Sequence, residues 1–264
     1  MTRLLRDRRG AFGVLILLTV LICATGAPLV TNGDPVSQRD IVATRFLPPL
    51  STDVHGDFHA IGTDRFGRDV WTRLVYGARI SMGVGVLAVL VSIVLGVIVG
   101  AIAGYWRGPV SITLLGVTDF ALALPRVVLL LLLAALWRPS TALVIVVLGL
   151  TGWMSIARLV HSEVRALAAR PFVEGAVAVG SRRLRVLARH ILPNALTPVV
   201  SFAPFEIVAN ISALVALDFL GFGLPAPTPS WGELIGQGME NLTKWWLVFY
   251  PLAVLFLTLL LVVF

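Results

Sequence analysis

The sequence predicts an all-α, polytopic membrane protein with six transmembrane helices. Three observations carry this: an apolar composition, six apolar runs of spanning length, and an uneven distribution of basic residues. The 264 residues are 58% hydrophobic and 13% charged, with a mean hydropathy of +0.93. A soluble domain carries about 25% charged residues, and the charges here are clustered, leaving long stretches with none.

A bilayer core about 30 Å thick needs about 20 residues of helix at 1.5 Å rise. The first run that qualifies is 11–30, after a short basic segment at 1–10. A polar segment, 31–79, precedes the second run at 80–105, and a third follows at 112–136. The fourth, 141–156, is the shortest. The fifth and sixth cover 195–217 and 246–264. Trp106, Trp137, Trp245 and Trp246 fall at the predicted span ends, where amphipathic rings favour the membrane interface. The five later spans make a core over 80–264, interrupted by one long basic loop at 158–193.

Charge fixes the expected orientation. Arg3, Arg6, Arg8 and Arg9 precede the first run, and seven arginines against Glu163 and Glu174 give 158–189 a net charge of +5. Between Asp34 and Arg79, six arginines balance six aspartates. By the positive-inside rule, the N-terminus and 158–193 are cytoplasmic and 31–79 is extracytoplasmic. The net charge of +7 is therefore a topology signal, not a nucleic-acid footprint. Four arginines before an apolar run ending in Ala24-Thr25-Gly26 resemble a secretory signal. The charge pattern needs that run as a span, so a retained anchor is expected.

Several chemistries lack their residues. Lys244 is the single lysine, so no glycine-rich phosphate loop ending in Lys-Ser/Thr exists on this chain. Cys23 is the single cysteine, and the four histidines (55, 59, 161, 190) have no helical metal spacing. No nucleophile elbow is present. The residues argue against an enzyme, and no cofactor or metal is expected on the chain.

The basic loop has internal order. Pro171 suits the first turn of a helix, Glu174 falls where the macrodipole favours an acid, and Phe172, Val173, Ala176 and Val177 form an apolar face. Gly180-Ser181 breaks that helix. A second is expected from Arg182 to Leu192, carrying Leu184, Leu187 and Ile191 beside Arg182, Arg185 and Arg189, with Pro193 as its stop. Such a helix either lies on anionic lipid or docks in the groove of a soluble partner.

In the second span Gly96, Gly100 and Gly104 recur every four residues, a ridge that permits close helix approach in lipid. This contact is expected within the chain or with a second subunit. Asp119, Arg126, Glu206 and Asp218 are ionisable residues in or near apolar spans. A charge at mid-bilayer costs about 2.5–3.5 kcal/mol on insertion scales, so each faces a partner or water. Asp119 and Arg126, seven residues apart, are expected on one helix face. With Glu206 they are candidates to line a translocation pathway; interhelical pairing is the structural alternative. Asp218 is placed at its span's outer end.

Glu174, Ala176, Gly180, Leu192 and Pro193 resemble the EAA signature of permease subunits in ATP-binding-cassette importers. Gly175 and His190 depart from the usual pattern. The resemblance extends through Gly62-Thr63-Asp64-Arg65-Phe66-Gly67-Arg68-Asp69-Val70, Tyr76 to Ser81, Gly221-Phe222-Gly223-Leu224 and Pro227 to Gly232. Together these look like the second permease of dipeptide and oligopeptide importers (the dipeptide-permease C type), a group that also includes nickel and haem-linked systems. The resemblance implies a type I ABC importer permease fold in a prokaryotic cytoplasmic membrane. It implies a homologous permease partner, two ATP-binding-cassette ATPases that hold ATP and Mg, and an extracytoplasmic substrate-binding protein. Phe172, Glu174, Ala176, Gly180, Arg182, Arg185, Leu192 and Pro193 would then form the ATPase-coupling element. The competing expectation is a stand-alone ion-coupled carrier that relays through Asp119, Arg126 and Glu206. The 62–81 segment is expected to cap the bundle or meet a subunit, rather than dock a binding protein.

Overall fold

A computed structural model describes residues 26–31, 33–137 and 140–263. Most of the predicted first span (11–25) lies outside the described residues; its end is a short helix, α1 (Ala27–Val30). A second short helix, α2 (Ile41–Thr44), is followed by a two-stranded hairpin, β1 (Ser51–Thr52) against β2 (Phe58–His59). Then come α3 (Val70–Tyr105), α4 (Pro109–Ala123), α5 (Arg126–Leu136) and α6 (Thr141–Ala168). The basic loop forms α7 (Pro171–Ala178), α8 (Arg183–Val186), a π-turn at Leu187–Ile191 and α9 (Leu192–Ala195). The chain continues through α10 (Thr197–Phe219), α11 (Trp231–Glu240) and α12 (Trp246–Val263).

Among the described residues four helices are long and apolar enough to cross a membrane: α3, α6, α10 and α12. A fifth span results if α4 and α5 are counted as one. The expected continuous span at 112–136 is thus corrected. Its two halves meet at a bend of 88°. Pro125 is the cause: it lacks the N–H a helix needs and pushes the residue before it to extended geometry, and Leu124 has φ −78°, ψ 131°. Asp119 and Arg126 therefore do not share a helix face.

Two boundaries also move. Helix α3 begins at Val70, ten residues before the predicted second span, and its 36 residues reach about 54 Å, well beyond a bilayer core. Helix α6 runs to Ala168, so the first third of the expected 158–193 loop is helical. Hydropathy ends the span near residue 156, but 158–168 is rich in good helix formers. Val160 and Val164 stay fully buried there.

The chain divides into two compact units. In the first, formed by residues up to Gly85, 134–144 and from Ile207 on, the core joins Val70, Leu74 and Ala78 of α3 to Ile211 and Val215 of α10. Trp231, Leu234 and Ile235 of α11 and Trp246 and Leu247 of α12 complete it. Both tryptophans are tied down at their polar edge: Trp231 Nε1 donates to Leu74 O (3.0 Å) and Trp246 Nε1 to Thr63 O (3.2 Å). The Gly62–Asp69 turn caps this core. Asp64 Oδ1 accepts from Phe66 N and Arg68 N, while Gly62 (φ +85°) and Gly67 (φ +73°) supply left-handed geometry.

Arg68 and Arg73, 2% and 0% exposed, converge on Glu233 of α11. Arg68 Nη2 lies 2.6 Å from Asp64 and 2.8 Å from Glu233; Arg73 also pairs with Glu233. Burial disfavours the Arg68 charge, but Asp64 and Glu233 more than offset it, and its pKa is raised. The segment expected as a cap is thus pinned through charge to α11.

In the second unit, Val86–Leu133 with Ile145–Glu206, the core joins Ala101, Ile156, Val160 and Val164 to Val173, Val186, Leu187, Ile191, Ala195 and Val199. The α3 glycine ridge meets α6 inside this unit. A Cβ at Gly96 would lie 2.7 Å from Ile156 Cβ and one at Gly104 2.9 Å from Val164 Cβ. One at Gly100 would strike the Ala157 carbonyl and come within 2.8 Å of Val160 Cβ. Gly100→Leu should therefore destabilise the unit by at least the ~1–3 kcal/mol typical of overpacking. A lowered melting temperature and a loss of monodisperse protein in detergent would register this; wild-type behaviour would refute the close approach.

Candidate translocation pathway and coupling loop

Helix α7 ends for a local reason. Ser181 N donates to Ala176 O (3.1 Å) and Gly180 N to Val177 O (2.9 Å), with Gly180 at φ +88°. This is a Schellman closure, in which the left-handed residue turns the chain while satisfying the last carbonyls. A side chain there meets backbone strain of roughly 1–2 kcal/mol.

The loop's apolar residues split into two sets. Val173, Val186, Leu187 and Ile191 are buried in the second unit's core, with Ala176 packed against it. Phe172 (47%), Val177 (47%), Val179 (88%) and Leu184 (66%) remain exposed. Glu174, Arg182 and Arg185 are exposed beside them. The single apolar face expected for Phe172, Val173, Ala176 and Val177 is thus only half covered: Val173 and Ala176 pack in the core, and Phe172 and Val177 stay exposed. Pro193 does not stop the second helix, which is a correction. Proline removes a backbone donor, and the chain absorbs this with the π-turn at Leu187–Ile191 and re-enters a helix at Leu192.

Of the intramembrane charges, Arg126 and Glu206 line one cavity of about 310 Å³. Its wall is the 121–126 corner, Leu129, Thr151, Gly152, Met154, Ser155 and Glu206. The two charges interact electrostatically, and Arg126 Nε donates to Thr151 Oγ1 at 3.4 Å. Asp119 lies apart from that lining: its Oδ1 pairs with Arg158 Nε at 3.1 Å. Asp218, near the end of α10, accepts from Leu224 N (2.6 Å) and from the Ser230 hydroxyl.

Sequence reading did not single out Gly149, Gly152, Ser92 or Arg158. Ser92 Oγ donates to Gly149 O (3.0 Å), and a Cβ at Gly149 would lie 2.6 Å from Val91 Cβ. The small residues of α6 were visible as Gly149-Leu150-Thr151-Gly152, but without a four-residue repeat to mark them.

Long apolar helices, a proline-broken span and a helical loop with an exposed apolar and arginine-rich face define a polytopic membrane transport component. The chain belongs to the family described as the binding-protein-dependent transport system inner membrane component, which matches residues 96–264. It is 36% identical over 250 residues to a putative peptide transport system permease protein of Brucella abortus, covering 94% of this chain and 81% of the relative. It is 33% identical to the dipeptide transport system permease protein DppC of Bacillus subtilis, covering 97% of this chain and 78% of the relative. Identity to the oligopeptide transport system permease protein OppC of the same organism is 29%, covering 98% and 82%. Inward-facing MetNI methionine ABC transporter structures share the fold, one with a TM-score of 0.61 at 19% identity, covering 73% of this chain and 92% of that one. The fold is therefore that of a type I importer permease, and the stand-alone carrier is not favoured.

Proposed function

We propose that this chain is the permease subunit of an ATP-driven importer that moves di- or oligopeptides inward across the cytoplasmic membrane. Similarity to peptide permeases over 94–98% of this chain supports the cargo. The exposed apolar residues of 171–193 support the coupling: Phe172, Val177, Val179 and Leu184 stay uncovered beside the exposed Arg182 and Arg185, on a loop whose Val173, Val186, Leu187 and Ile191 share a core with α6, and they need a groove to cover them. In this reading the N-terminus and the loop face the cytosol, 31–79 faces outward, and the first span is residues 11–30. A homologous permease completes the pore, two partner ATPases bind ATP and Mg, and an external binding protein delivers the peptide. Glu174, Gly180, Arg182 and Arg185 meet the ATPase, Leu192 and Pro193 hold the return into α10, and ATPase closure moves α7 to switch the bundle between openings. The observation that carries this is the exposure of Phe172, Val177, Val179 and Leu184 on the loop.

Uptake of labelled dipeptide by cells expressing the chain with its partners should cease on ATP depletion and persist with an uncoupler. Uptake that collapses with the uncoupler yet survives ATP depletion would overturn the reading.

A further inference from the structure

Glu206 carries chemistry that the coupling mechanism does not use. Its side chain is buried, with the residue 6% exposed, and Oε2 accepts no hydrogen bond among the described residues. It nevertheless lines the cavity at the Leu124–Pro125 corner. A buried carboxylate oxygen without a donor is costly, and more so within an apolar span.

The nearby hydroxyl protons are committed elsewhere. Ser92 Oγ donates to Gly149 O (3.0 Å) and Thr151 Oγ1 to Leu148 O (3.0 Å). Gly152 keeps the space beside the carboxylate open: a Cβ there would sit 3.2 Å from Oε2 and 2.5 Å from Ser92 Oγ. Arg126 contributes a positive charge to the same cavity. The cavity is of the size that holds small ligands.

We propose that this cavity is a recognition subsite for a primary ammonium on the cargo, with Glu206 Oε2 as the acceptor. An ammonium brings three donors and a positive charge, which answers the unpartnered oxygen. Arg126 narrows the ligand class. A bare inorganic cation would meet its repulsion with nothing in return, whereas a zwitterion offers it a carboxylate. The ligand is thus an amino-terminal zwitterion, such as a short peptide with a free N-terminus. This rests on the peptide-import reading above and adds where the cargo's amine is held during passage.

The test uses the complete transporter carrying Cys23→Ser and Ser155→Cys. Position 155 is exposed and on the cavity wall, so a thiol there reports on occupancy. Excess dialanine should slow modification of this thiol by a methanethiosulfonate reagent, and N-acetyl-dialanine should not. Glu206→Gln should weaken dialanine protection about tenfold or more, the value of a lost charge-assisted hydrogen bond. Equal protection by the free and acetylated peptides, or by neither, would overturn the subsite. That comparison needs no change at Glu206, so a folding defect in the glutamine variant leaves it decisive. Failure of the import reading shows separately, as absence of ATP-dependent dipeptide uptake by the Cys23→Ser parent.

Discussion

Gly180→Leu and Glu174→Trp should each abolish uptake while the chain still inserts, folds and reaches wild-type abundance in the membrane. The two substitutions act differently. Gly180 closes α7 at φ +88°, so a leucine there strains the Schellman turn and redirects the segment that begins at Arg182. Nothing lies within 4 Å of a Cβ at that position, so the effect is conformational, not a clash. Glu174 is exposed on the first turn of α7. A tryptophan there leaves the fold alone and obstructs only what sits on the loop. Uptake counts and quantitative immunoblots of the membrane fraction check both. Normal uptake by either variant would sink the assignment of this loop as the coupling element.

Glu233→Ala should produce the largest loss of stability. Removing it leaves two buried guanidinium groups short of their shared acceptor, and breaking a buried pair from one side costs about 3–5 kcal/mol. Arg68 keeps Asp64 at 2.6 Å, which places the expected loss near the lower end. Arg73 fares worse: its remaining acidic neighbour, Asp64, is 3.8 Å away. The control is Glu240→Ala, which breaks the exposed 3.3 Å contact with Arg65 and should cost no more than about 1 kcal/mol. Thermal unfolding of the detergent-solubilised transporter separates the two. Equal effects would mean that the buried cluster carries no special weight.

The long spans were legible in the sequence because twenty apolar residues in a row have few other uses. α3 and α6 each contain a predicted run, α10 and α12 hold all but one or two residues of theirs, and α4 and α5 divide another. What escaped was local. The 88° bend at Pro125 was written in the sequence as a proline, but one inside a largely apolar stretch of spanning length, where helix continuation is common in membranes. The extension of α6 to Ala168 was hidden because Arg158, Glu163 and Arg165 interrupt the apolar pattern of its last eleven residues, and hydropathy does not report helicity. The loop was readable in position and in its glycine break, since Gly180 and the acid in the first turn are local signals. Which apolar residues turn inward was not, because Val173 and Phe172 are both apolar and differ only in whether the tertiary core receives them. The Arg68–Glu233 link spans 165 residues, and no local pattern announces a pair that distant. Similarly, Asp119 and Glu206 looked alike as isolated acids. Only their neighbours separate them: Arg158 for the first, an open cavity for the second.

If the exposed residues of 171–193 sit in an ATPase groove, a probe on α7 reaches that partner. Gly175 is a suitable probe, since a Cβ there meets nothing within 4 Å and the position is exposed on α7. With Cys23→Ser removing the single native thiol, Gly175→Cys can carry a photo-activated cross-linker in native membranes. Transfer of the label to a P-loop ATPase, lost when ATPase and permease are separated in detergent, is the predicted result. Label confined to lipid or to the chain itself, in membranes where the ATPase is present, would contradict it.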